Sequence, residues 1–130
     1  MSPTHFLAPL LARDAGPMRL VAGGRHHIVA TAIETAFDSA SRRQGLLGRA
    51  ALAPDTALII APCSAIHTFA MQFAIDVIFA ARDGRILKVR RALPPARLTM
   101  ARRAFAAIEM AAGEADRHGL RAGEYLTVEP

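Results

Sequence analysis

The chain has 130 residues and a formal net charge of +5, with hydrophobic residues at 52% and aromatics at only 5%. That length fits one domain able to bury its own core, and a lone cysteine excludes an intramolecular disulfide framework and fits a reducing compartment. The charge rests on fifteen arginines against one lysine, in a chain equally rich in alanine; GC-rich coding produces both without selection for nucleic-acid binding.

Residues 1–16 carry a short apolar stretch broken by Pro9 and followed by Arg13 and Asp14. The stretch lacks a basic start and is too short to span a bilayer. We expect a loose N-terminal arm over 1–16 and a single β-rich domain over 17–130, in a cytoplasmic protein without membrane association. The β-branched run from Ile28 to Phe37 predicts a strand. Asp38 or Ser39 then offers an N-cap for a short helix ending near Gly48. "TALIIAP" predicts an apolar strand stopped by Pro62. "AIDVIFAARDGRILKVRRAL" predicts strands near Ile75–Ala80 and Arg85–Arg91, joined by a turn in which Gly84 supplies positive φ. Leu87 and Val89 alternate with Lys88 and Arg90, the mark of a sheet with one wet face. Beyond Pro94 and Pro95, "LTMARR" reads as irregular or briefly helical. A strand follows over Ala106–Met110, then one helical turn in "GEADRHG" closed by Gly119, and a last strand after Gly123. Many short strands with one-turn helices predict a mainly β fold: an antiparallel β-sandwich or partly closed barrel with one or two short helices.

Three soft residues, Cys63, His67 and Met71, recur at intervals of four. A helix would bring each pair within about 6 Å, whereas a strand separates neighbours by about 13 Å, beyond the reach of one ion. Pro62 and the strand that follows favour the extended form, so no shared metal and no cofactor are expected there. A lesser alternative joins His67 and one soft neighbour to His26 or His27 in a Cu(I)- or Zn-type site. Asp76 lies between Ile75 and Val77, where an unpaired carboxylate is costly. Its expected partner is Arg42 or Arg49, two turns apart on the short helix. Glu109 occupies a similar apolar setting. The basic segment Arg82–Arg103 holds eight positive residues but lacks interleaved aromatics, so it is read as a solvated face rather than a nucleic-acid surface.

Arg42, Gly45, Leu46 and Arg49, then Ile75–Phe79, then Asp83, Gly84 and Ile86 follow in order, with Glu109 in "AIEMAAG" and a closing "GLRAGEYLTV". This ordered series resembles the domain-of-unknown-function family numbered 192, over roughly Val29 to Val128. The resemblance implies a β-rich, sandwich-like fold and no agreed activity. Where many relatives carry Trp-Met-Lys-Asn-Thr, this chain has His67-Thr68-Phe69-Ala70-Met71. We expect a non-enzymatic module for a small ligand, with His67, Thr68, Met71 and Asp76 lining the site and Arg42, Arg49 and Glu109 as structural or anion-binding support. The alternative is a small hydrolase using His67 with Asp76 or Glu109.

Overall fold

A computed structural model describes residues 4–12 and 16–130. Its strands are β1 (Arg19–Ala22), β2 (His27–Ala30), β3 (Ala32–Ala36), β4 (Thr56–Ile60), β5 (Ala65–His67), β6 (Ile75–Ala80), β7 (Ile86–Leu93), β8 (Leu98–Met100), β9 (Ala106–Ala111) and β10 (Leu126–Glu129). Two short helices, α1 (Ser39–Gln44) and α2 (Glu114–Arg117), complete it. The fold is mainly β, with open sheets and no closed barrel among the described residues. A five-stranded sheet in the order β3-β4-β9-β6-β7 lies at the centre, beside a three-stranded sheet β10-β1-β2 and a two-stranded arm β5-β8. The pairing is antiparallel except between β3 and β4, which run parallel. Their connection carries α1, as a parallel pair requires a long crossover.

Side-chain alternation divides the central sheet into two buried faces. Ile59 of β4, Ile78 of β6 and Ile108 of β9 pack with Leu20, Ala22, Leu126 and Val128 of the three-stranded sheet, and with Ala115 of α2. Leu58, Val77, Phe79 and Ala107 point the other way and pack with Leu46, Ile66 and Met71. All six residues of β6 are buried, so both faces of this strand meet a core. Asp76 belongs to the first face and Glu109 to the second: Glu109 sits opposite Val77 of β6 and Leu58 of β4.

The "ARDG" turn forms as expected. Gly84 has φ +90°, its N–H donates to Ala81 O, and β6 and β7 pair antiparallel. The Leu126 N–H donates to Gly84 O, tying the hairpin tip to β10. Asp38 caps α1, its Oδ1 accepting from the Ser41 N–H at 2.7 Å, though the helix stops at Gly45 rather than near Gly48. Gly45 has φ +47°, a conformation that ends an α-helix at little cost only for glycine.

Three expectations need correction. The strand expected over Ile28–Phe37 is two strands in different sheets, broken at Thr31, where the N–H groups of Thr31 and Ala32 both donate to Asp55 O. "LTMARR" is not irregular, because Leu98–Met100 pairs with Ala65–His67 as β8. The N-terminal segment is not loose where it is described: Leu7 is fully buried in the first core, and the Phe6 N–H donates to Arg82 O. Residues 1–3 and 13–15 of the expected arm lie outside the described residues.

Candidate functional site

A cavity of about 820 Å³ opens between α1 with its following turn, β5 and the second face of the central sheet. Apolar Leu46, Ile60, Ile66 and Met71 form much of its wall, and Arg42, Cys63, His67 and Glu109 supply its reactive or charged groups. Alternation along β9 places Glu109 here, since Ala107, two residues earlier, faces the same core.

Glu109 is only 3% exposed. No hydrogen-bond donor among the described residues serves its carboxyl group. Burial pushes its pKa up to about 7, and the positive charge of Arg49 offsets only part of that rise. The backbone at Gly45 comes close to this carboxyl: a Cβ built there would stand 3.6 Å from Glu109 Oε1. Cys63 is half-buried, with its thiol donating to Ala65 O at 3.2 Å. Burial raises its pKa, so the group is a thiol rather than a nucleophilic thiolate. His67 is exposed at the cavity wall and stacks on Phe69, ring centroids 5.3 Å apart. Arg42 lends one N–H to Phe37 O at 3.1 Å and lines the cavity.

Four of the seven residues singled out from the sequence, His67, Met71, Arg42 and Glu109, thus share one cavity, and three do not. Asp76 is fully buried on the opposite face of the sheet, so it meets neither Arg42 nor Arg49. Its Oδ1 accepts from the Ala92 N–H at 2.8 Å; its Oδ2 accepts from Gly113 and Ala115 at 3.1 and 2.8 Å. Three backbone donors replace the expected guanidinium. Arg49 instead makes a two-pronged pair with Glu34, at 3.0 and 2.7 Å, which holds the Glu34 carboxyl below its ordinary range. Thr68 is fully buried; its hydroxyl donates to Pro94 O at 2.6 Å and accepts from the Arg97 N–H at 2.9 Å, holding the loop before β8.

The extended geometry expected for Cys63, His67 and Met71 holds only as far as His67. Strand β5 ends at His67 and the chain then turns, with the Met71 N–H donating to Thr68 O. That reversal brings all three to the wall of the same cavity. His27 is not a partner for His67; its Nε2 lies 2.8 Å from Nδ1 of His118. His118, Glu114 and Asp55 form a second polar cluster that the sequence reading passed over. The available signal was a carboxylate and an imidazole four residues apart in "GEADRHG".

Residues 20–128 match the model of the family DUF192, described as "Uncharacterized ACR, COG1430". The chain belongs to this family. A crystal structure of a chain from Sinorhizobium meliloti 1021, described as a candidate transcription regulator, superposes with a TM-score of 0.74. Its identity is 26%, over 85% of this chain and 91% of that one. A protein of unknown function from Novosphingobium aromaticivorans DSM 12444 superposes with a TM-score of 0.73 at 21% identity, over 96% of this chain and 99% of that one, a likeness of fold alone. No curated protein matches the chain. No helix among the described residues is long and apolar enough to cross a membrane.

Proposed function

We propose that this DUF192 protein is a cytoplasmic small-molecule-binding module whose site is the cavity over Glu109. The observation that carries the reading is a carboxyl group buried in an apolar wall without a hydrogen-bond partner among the described residues. The carboxyl opens on the cavity and is not shut off from solvent, so a bound polar donor would take the place of water there. The cavity volume suits a ligand of drug-like size, and its mixture of apolar wall and few polar groups is that of a small-molecule site. The ligand we infer is mostly apolar and carries an amine, amide or hydroxyl donor that reaches Glu109. His67 and Arg42 contact its outer end, and Met71 its apolar body. Asp76, Thr68 and Arg49 act through the scaffold.

The test is a screen of small amines, amides and alcohols against the isotope-labelled chain, followed by backbone amide NMR shifts. Hits should move residues 44–47, 63–67 and 109, and Glu109→Leu should abolish them. Hits scattered over the surface, or unaffected by Glu109→Leu, would contradict the reading.

A second reading, a hydrolase, gains from the same carboxyl, since a pKa of about 7 is that of an effective general acid or base at neutral pH. It pairs Glu109 with His67, because Asp76 faces away. Turnover of a model ester, lost in Glu109→Gln and in His67→Ala, would establish it; equal rates in the variants would dismiss it. A DNA-directed role, in keeping with the description of the S. meliloti protein, has less support. In the basic segment Arg91 is paired with Asp116 and Lys88 donates to Met100 O.

A further inference from the structure

On the opposite side of the molecule, α2 and the loop before β4 bring together three side chains far apart in the chain. His118 is 6% exposed, and its Nε2 is buried without a hydrogen-bond partner. That atom faces two carboxylates, 3.5 Å from Asp55 Oδ1 and 3.9 Å from Glu114 Oε1. The three ligand-type atoms lie within 4.8 Å of one another. Neither distance to Nε2 belongs to a hydrogen bond. Both are somewhat longer than the roughly 3.3 Å between neighbouring ligands of a tetrahedral ion with bonds of about 2.0–2.1 Å, a gap that a bound ion would close.

The other side of the imidazole is already fixed. His118 Nδ1 meets His27 Nε2 at 2.8 Å, and the Arg25 guanidinium donates to His118 O at 2.6 Å. A partner on the far ring nitrogen is how metal-binding histidines are oriented. Arg117 now supplies positive charge to the carboxylates. Its Nε and Nη2 donate to Glu114 at 2.6 and 2.9 Å, and its Nη2 also contacts Asp55. Glu114 Oε1 further accepts from the Asp55 N–H at 2.6 Å, so withdrawal of Arg117 would free one of its lone pairs. Arg117 is half-exposed, at 49%, so an incoming ion can displace its guanidinium toward solvent.

We propose that Asp55, Glu114 and His118 form a site for one divalent transition-metal ion, of the zinc type, that exchanges with the Arg117 guanidinium. Nitrogen and carboxylate ligands suit such an ion, and the fourth position opens on the side Arg117 vacates. The site is separate from the Glu109 cavity and does not depend on its ligand.

The test is calorimetric titration of the metal-stripped full chain with Zn²⁺, using circular dichroism to check that each variant is folded. The wild type should bind one Zn²⁺; Asp55→Asn and His118→Gln should each weaken it by more than the roughly 10–100-fold that loss of an outer-shell partner costs. Asp55 is half-exposed, which keeps one of these variants readable if the other fails to fold. Arg117→Ala should bind about tenfold tighter, because the competing cation is gone. No uptake by the wild type, uptake unchanged in Asp55→Asn, or an Arg117→Ala affinity no better than wild type would each overturn the proposal.

Discussion

Replacing Asp76 with asparagine changes a single atom type and leaves the volume of the side chain unchanged, so its effect isolates hydrogen bonding from packing. In the native structure one oxygen serves Ala92 N–H and the other serves Gly113 and Ala115 N–H. An asparagine has one acceptor and one amino group. If its oxygen faces Gly113 and Ala115, its amino group meets Ala92 N–H, donor against donor. The flipped amide sets the amino group against two N–H groups instead. The better choice still orphans one buried backbone donor, about 1–3 kcal/mol, and weakens two bonds that had been charge-assisted. We expect Asp76→Asn to destabilise by about 2–4 kcal/mol, and Asp76→Ala, which orphans all three donors, by at least as much. Either is a large fraction of the 5–15 kcal/mol typical of a domain. Urea denaturation at pH 7 measures it, with an unchanged slope showing that the denatured state is not the cause. A loss below about 0.5 kcal/mol for Asp76→Asn would refute the reasoning that backbone donors alone compensate this charge.

Glu109 has a folded pKa raised above its ordinary value, so its contribution to stability is full below about pH 4.5 and is lost as pH rises through about 7. The shift corresponds to about 3 kcal/mol, and Glu109→Gln should gain most of it at pH 8 and little at pH 5; equal gains at both would contradict the burial argument. Gly84→Ala should destabilise by roughly 2–4 kcal/mol, since an added Cβ would fall 2.2 Å from Leu126 O at a φ of +90°; a melting temperature within 1 °C of wild type, an approximate threshold, would rule this out. Arg49→Ala breaks a pair with Glu34 whose side chains are 37% and 43% exposed, and should cost no more than about 1 kcal/mol by chemical denaturation. A larger cost would return Arg49 to the role that its place in the family pattern suggested.

Local chemistry explains which parts of the fold were legible. The Gly84 turn and the Asp38 cap are written in one or two residues with strong backbone preferences, and both form. Asp76 was recognisable as a buried charge needing compensation. Its partners were not, because backbone N–H groups at 92, 113 and 115 carry no side-chain signature, and the alternation that turns Asp76 away from α1 depends on which core each face meets. Strand β8 was missed because three residues pair only through contact with β5, beyond any local pattern. The cavity was half legible: Glu109 and His67 stood out as polar groups near apolar runs, while the turn after His67 that gathers Cys63 and Met71 beside them depends on the buried Thr68. The Asp55–Glu114–His118 cluster joins two segments some sixty residues apart, one of whose members reads as an ordinary loop aspartate.

The proposed function rests on Glu109 being a buried carboxyl on the cavity wall, its pKa raised by desolvation. It is tested most directly by following the Glu109 side-chain carboxyl carbon by NMR from pH 4 to pH 9. The account predicts a single titration with a midpoint near 7, displaced when a bound amine or amide reaches the group. A midpoint near the ordinary glutamate value of about 4.3, unmoved by any cavity ligand, would contradict it.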